Sequence, residues 1–401
     1  MTLKLDLRET GDWVPLRASL AEADLLAASE VVDVRPTGRG NWEARAGTWV
    51  GAAILGDPRD VCVDLRIIPK IPVGRLLFLL SYSSAREWTD DVIASSDAED
   101  VPTGVAEALV RLIDRALLQG VLQGYQHVDE AGLTIRGRVR TTAQITRRFG
   151  AAIPVEVAYD DYTPDIAENQ ILRAAVRRML SVPGVPDALR LRLLRQLHRF
   201  AEVTELPGGS LQPDWSPSRL NARYQPALHL AELILRSHSF ELGRGRVPAT
   251  GFMLNMARVF ENFLTGALGS ALMESFGGRA IAQDPWMLDA GGLVSMYPDL
   301  VWYPEDGSPR LVVDAKYKAG KVPNADVYQL LAYCIAIGLT DGHLVYARGV
   351  EQPRKYEITG AGLTVWAHAV DLALPPKALV RQVGELAREL NGVRVKARVS
   401  A

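Results

Sequence analysis

The chain has 401 residues, enough for two or three domains with cores of their own. Its composition, 48% hydrophobic and 23% charged, is that of an ordinary globular protein. A net charge of −2 rules out global basicity as the means of holding nucleic acid, so any such grip must come from local patches or from a partner.

No stretch near the N-terminus resembles the apolar region of a signal peptide. No apolar run approaches the ~20 residues that span a bilayer, so no membrane association is expected. Two cysteines, Cys62 and Cys334, lie far apart in sequence, which points to a reducing cytoplasm rather than a disulfide framework. The histidines (His127, His198, His229, His238, His343 and His368) show no metal-ligand spacing.

Residues 1–100 read as a small β-rich domain. Residues 3–7 alternate, 24–30 suit a short helix, and 31–36 suit a strand followed by a turn at 37–41. Residues 42–54 alternate around Gly47 and Gly51, and 61–71 form a further strand. Many short strands with glycine turns predict a barrel-like arrangement. Residues 76–82 are an apolar helix, and the acidic stretch 95–103 reads as a loop.

Residues 101–245 read as a mostly helical middle region. Apolar residues recur at helical spacing over 105–123. Within the strand-like stretch 132–141, Arg136, Arg138 and Arg140 alternate and would line one face. Such a stripe suits phosphate contacts, partner contacts or a plain solvated face. Asp165 sits where it would cap the helix that runs to residue 180. A basic amphipathic helix over 187–203, a Gly/Pro-rich loop at 207–218, a helix over 219–240 and a linker at 241–248 complete the region.

Residues 246–401 carry the densest chemistry. Asp299 opens the apolar stretch 300–303, and the turn residues 305–309 join it to a β-branched strand over 311–317. That pattern is a β-hairpin, and it brings Asp299 beside Asp314. Lys316 projects to the same face as Asp314, two residues on. Two carboxylates and an ammonium at a sheet edge suit phosphodiester chemistry assisted by a divalent metal. Taken alone, Asp-x-Lys also fits a solvated pair on a surface hairpin. Gln329 and Tyr333 follow, four residues apart on one helix face. Strands at 345–347 and 356–359, a strand at 363–372 that closes the sheet, and a helix over 376–391 end the chain. No Gly-x-x-x-x-Gly-Lys-Ser/Thr loop is present, so the chain is not itself a P-loop NTPase.

Pro298-Asp299 followed by Asp314-Ala315-Lys316 resembles the PD-(D/E)XK nuclease signature, and Gln329 to Tyr333 resembles the Gln-x-x-x-Tyr element of RecB-like members. Residues 257–263, with Glu261, resemble the first helix of that fold. Leu65 to Ile71 with its Ile-x-Pro-Lys-Ile, Gly137-Arg138-Val139, and Tyr159 to Asp165 followed by Glu168-Asn169 are similar to McrC proteins. The resemblance implies an α+β multidomain protein. It would comprise an N-terminal β-rich partner-interaction domain (1–100), the helical middle region (101–245) and a PD-(D/E)XK restriction-endonuclease-like α/β domain (246–401). It implies a cytoplasmic DNA endonuclease subunit of a restriction or anti-phage system, gated by and stimulating an McrB-type AAA+ GTPase hexamer. Double-stranded DNA, modified and recognised by that partner, is the implied substrate. Asp299, Asp314, the Ala315 carbonyl and Glu261 would hold Mg²⁺, for which Mn²⁺ can substitute. Lys316 would assist the attacking water, and Gln329 and Tyr333 would orient the hairpin or the phosphate. A regulatory activator of an AAA+ partner with an idle nuclease site, and a stand-alone nuclease, remain open as alternatives.

Overall fold

Strands dominate the first residues because apolar and β-branched side chains alternate there with polar ones. The computed structural model describes residues 2–38, 41–82, 98–149, 151–207, 212–236, 248–318, 322–347 and 354–399, with side chains to residue 392. They form two compact units, residues 1–104 with 241–401, and residues 105–240. No helix among the described residues is long and apolar enough to cross a membrane.

The first unit begins with β1 (Leu3–Arg8), β2 (Val14–Leu16), α1 (Leu20–Ala28), β3 (Val32–Gly38), β4 (Asn41–Ala46), β5 (Trp49–Gly56), β6 (Cys62–Ile68) and α2 (Val73–Tyr82). Ser19 and Glu22 form a capping box that starts α1. These strands fall into two sheets rather than one closed barrel: β2-β4-β3, and one in which β1 runs parallel to β6 and β6 antiparallel to β5. Part of the turn at 37–41 and part of the loop at 95–103 lie outside the described residues. Of the rest of that loop, 98–100 stay irregular and 101–103 begin α3 (Val101–Ala116). Asp100 initiates it, accepting the Thr103 N–H at 2.8 Å and pairing with Arg66.

The second unit contains β7 (Gly124–Gly132), β8 (Arg138–Val139), α4 (Thr141–Arg148), β9 (Val155–Thr163), α5 (Ala167–Ser181), α6 (Asp187–Arg199) and α7 (Gln225–Arg236). It is helical with one three-stranded sheet, β7-β9-β8. The three arginines do not share a strand face. Arg136 precedes β8, Arg138 lies in it, and Arg140 stands at the N-cap of α4. Gly137 breaks the alternation at φ +63°, packed so closely that a Cβ there would stand 2.4 Å from the Ala158 carbonyl oxygen. Asp165 does not cap α5, whose N-cap is Ile166. Its carboxylate instead accepts from Gln170 at 2.8 Å and from the Thr204 N–H at 2.7 Å, fastening the chain beyond α6.

The first unit resumes with β10 (Ala249–Asn255), which pairs antiparallel with β5 and completes the order β1-β6-β5-β10. The linker expected at 241–248 lies outside the described residues up to 247. Then come α8 (Met256–Phe276), β11 (Arg279–Ala282), β12 (Trp286–Met287), β13 (Ser295–Met296), β14 (Leu300–Tyr303), β15 (Leu311–Lys316), α9 (Asn324–Ile337), β16 (Asp341–Ala347), β17 (Arg354–Ile358), β18 (Leu363–Val370) and α10 (Pro376–Val399). Asn255 caps α8, accepting the Ala257 N–H at 3.0 Å.

The main sheet has the order β11-β14-β15-β16-β18-β17. β15, β16 and β18 run parallel, and the outer strands are antiparallel to their neighbours. β18, expected to close the sheet, is interior, and the amphipathic β17 forms the edge. Helix α9 links β15 to β16 and covers one face, burying Leu330, Tyr333, Cys334 and Ile337 against Val301, Val312, Leu344 and Val365. Helix α8 covers the alternate residues on the other face, where Gly269 approaches Ala280 and Leu300.

Close packing of α9 on β16 depends on Gly342. A Cβ there would meet Cys334 Sγ at 2.6 Å and Leu330 Cγ at 2.8 Å. Gly342→Ala should therefore cost about 1–3 kcal/mol through overpacking. Chemical denaturation would measure this, and a wild-type midpoint would contradict it.

Candidate active site

The pairing of β14 with β15 sets the site. Leu300 faces Val313, so one step further Asp299 faces Asp314. Both side chains are buried, Asp314 at 1% exposure and Asp299 at 9%. Asp299 Oδ2 accepts the Ala315 N–H at 2.7 Å, which locks that carboxylate across the hairpin. Lys316 follows Asp314 on the same face, and its Nζ lies 2.5 Å from Asp314 Oδ2. It also donates to Gln329 Oε1 at 2.9 Å. Gln329 in turn donates through Nε2 to the Tyr333 hydroxyl at 2.7 Å. The i, i+4 spacing on α9 makes that last contact possible. The hairpin therefore brings Asp299, Asp314 and Lys316 together, and α9 adds Gln329 and Tyr333.

Burial pushes the Asp314 carboxyl up to about 7, and the Asp299 charge beside it adds to the rise. Asp299 is also raised, first by burial and then by the Glu261 charge, against the lowering effect of the Ala315 N–H. For Lys316, burial works against the charge, yet the carboxylates of Asp314 and Asp299 outweigh it and hold the ammonium above its usual range. Tyr333 is raised by burial and by the Asp314 charge.

Among the described residues, no group of three His, Cys, Asp or Glu side chains has the spacing to hold a metal ion. The donor set is the Asp299–Asp314 pair. Asp314 Oδ2 is buried and accepts no hydrogen bond of good geometry, its close approach to Lys316 notwithstanding. A divalent cation would relieve both the mutual repulsion and this unsatisfied oxygen. Mg²⁺ is commonly held by one or two carboxylates while keeping several waters, so the residues fit it.

Glu261 lies on α8 and stands next to the pair through an intermediary that the sequence did not reveal. Gln283, just after β11, donates through Nε2 to Glu261 Oε1 at 2.8 Å and to Asp299 Oδ1 at 2.9 Å. A second unforeseen group is Asp326 in the first turn of α9. It accepts from Lys318 Nζ and from the Tyr346 hydroxyl, each at 2.8 Å, and so pins α9 to β16. Its place at the opening of a helix was a readable signal. Gln283 offered none, because its partners lie 22 and 16 residues away. Arg136, Arg138 and Arg140 belong to the second unit. Arg136 and Arg138 are exposed, and Arg140 pairs with Asp129 at 3.0 Å.

A model of the McrBC 5-methylcytosine restriction system components matches residues 44–347. The chain belongs to this family. The McrC resemblance read from the sequence therefore stands. Among solved structures, a half-complex from the tetradecameric assembly of Thermococcus gammatolerans McrB AAA+ hexamers with bound McrC is similar at 18% identity. That match covers 96% of this chain and 100% of the other, with a TM-score of 0.59, and shows a shared fold. A cryo-EM structure of the Thermococcus gammatolerans McrBC complex matches at 18% identity over 67% of this chain and 88% of the other, with a TM-score of 0.44. None of the curated proteins compared with the chain matches it.

The raised Asp314 carboxyl gives this McrC-family chain a testable pH response. Between the ordinary value of 3.8 and about 7, the folded protein keeps a proton that the unfolded chain has lost. The stability this group contributes is complete below the ordinary value and is lost as pH rises through about 7. In the presence of a chelator, Asp314→Asn should therefore melt above wild type at pH 8, and the gap should narrow toward pH 5. A gap independent of pH would show that Asp314 titrates normally.

Proposed function

We propose that this chain is the Mg²⁺-dependent DNA endonuclease subunit of a two-component restriction system. Its last region would be a PD-(D/E)XK nuclease domain working with an McrB-type AAA+ GTPase. The observation that carries this reading is the buried Asp299–Asp314 pair with Lys316 against it and Gln329 holding Lys316. A solvated surface hairpin would not bury two carboxylates, since burial of charge is costly unless something compensates it.

In this reading Asp299, Asp314 and the Ala315 carbonyl hold the cation, and Mn²⁺ can replace Mg²⁺. Bound there, the cation supplies Lewis acidity and a more acidic water. Lys316, kept charged by its carboxylate neighbours, positions the attacking water and offsets negative charge growing on the phosphate. Gln329 fixes the Lys316 ammonium, and Tyr333 fixes Gln329. Arg136 and Arg138 are candidate contacts to DNA or to the partner.

The partner assignment rests on the family and on the likeness to an McrC bound to McrB hexamers. Double-stranded, modified DNA is the proposed substrate, in keeping with the family's link to 5-methylcytosine. A net charge of −2 suits a division of labour in which the partner supplies most of the hold on DNA.

Cleavage of methylated and unmethylated plasmid with Mg²⁺, with and without the partner and GTP, tests the proposal. Cutting is expected only in the full mixture. Asp314→Ala and Lys316→Ala should each lower it by at least about 100-fold, the scale of losing charge stabilisation in a catalytic site, while leaving stimulation of the partner's GTPase intact. Cutting by the chain alone would favour a stand-alone nuclease. No cutting, with GTPase still stimulated, would favour a purely regulatory role.

A further inference from the structure

Gln283 occupies a place that its surroundings over-determine. Its backbone N–H donates to the Asp299 carbonyl oxygen at 3.3 Å, and its side-chain amide donates both to Glu261 and to Asp299 Oδ1. Its φ of +52° is left-handed, a region that side-chain-bearing residues adopt uncommonly and that Gly, Asn and Asp suit better. A glutamine held there marks a position where the side chain is needed more than backbone comfort.

The consequence for Asp299 is specific. Its carboxylate is gripped from both sides, Oδ2 by the Ala315 N–H and Oδ1 by Gln283. Glu261 does not reach Asp299 directly but through the same NH₂ group. One amide thus joins helix α8 to the catalytic hairpin. It also sets a donor between two carboxylates that would otherwise repel each other.

We propose that Gln283 is a positioning residue that ties Glu261 to Asp299 and holds the Asp299 carboxylate in the orientation that binds a divalent metal. The inference rests on the nuclease reading above and deepens it. Glu261 then acts through Gln283 rather than as an independent ligand. Groups that hold a metal ligand in this way commonly change affinity by 10–100-fold when removed.

The test is Mn²⁺ binding by the full chain, followed by electron paramagnetic resonance of free against bound ion, with thermal denaturation run in parallel. Gln283→Gly removes the amide while relieving the left-handed backbone, which offsets part of the cost of the lost hydrogen bonds, so the variant should still unfold in one cooperative transition above the binding temperature. Its Mn²⁺ affinity should fall about tenfold or more. Gln283→Asn suits the same backbone but carries its amide one methylene short, and should show the same loss in a second stable background. Glu261→Ala should weaken binding by a similar factor. The double variant Gln283→Gly with Glu261→Ala should be no weaker than either single variant, because both remove one tether.

Wild-type affinity in the Gln283 variants, a loss in only one of the two single variants, or additive losses would each overturn the proposal. Asp314→Ala separates this failure from that of the nuclease reading. Mn²⁺ bound by wild type, lost in Asp314→Ala and unaffected in Gln283→Gly would refute only the role of Gln283. No Mn²⁺ binding by wild type would refute both.

Discussion

Two carboxylates buried face to face across one hairpin are the constraint that the surrounding structure answers. Both are buried; the Asp299 charge raises the cost of ionising Asp314, while burial and then the Glu261 charge raise that of Asp299. The fold meets this with a main-chain donor from Ala315, an ammonium from Lys316 and an amide from Gln283. It leaves Asp314 under-satisfied, a condition that a protein tolerates where a ligand completes the set.

The helices around the sheet follow from that need. Helix α9 buries an apolar face on the sheet and presents Gln329 to Lys316 one turn before the buried Tyr333, to which Gln329 is hydrogen-bonded. Its first turn is held by Asp326 with Lys318 and Tyr346, so the helix cannot slide along β16 without breaking the buried Tyr346–Asp326 hydrogen bond. Helix α8 carries Glu261 toward the hairpin and packs Phe260 near Tyr317, ring centroids 6.1 Å apart.

Tyr317 also connects the site to the N-terminal strands. Glu9, fully buried after β1, accepts the Lys70 N–H at 2.9 Å, and its charge, after burial, pushes up the hydroxyl of Tyr317, one residue beyond Lys316. The Ile-x-Pro-Lys-Ile segment thus matters through its backbone, while the Lys70 side chain stays exposed. Together with the pairing of β10 and β5, this contact makes residues from both ends of the chain one unit. Reading the N-terminal strands as a separate domain misses it, because strand patterning says which face is buried and not which distant strand pairs there.

The sequence by itself determined the hairpin that pairs Asp299 with Asp314, the shared face of Asp314 and Lys316, and the Gln329–Tyr333 pair one helix turn apart. These depend on local periodicity: a repeat of two in strands and of about four in helices is visible over a few residues. Only the tertiary structure decided the rest. It broke the arginine stripe at Gly137, because the close approach of Ala158 is a contact between strands. It turned Asp165 from a cap into a tether for Thr204, put β18 inside the sheet, and set Gln283 between Glu261 and Asp299. Each of these depends on which residues remote in sequence meet once the chain has closed its sheets, and no local pattern encodes that meeting.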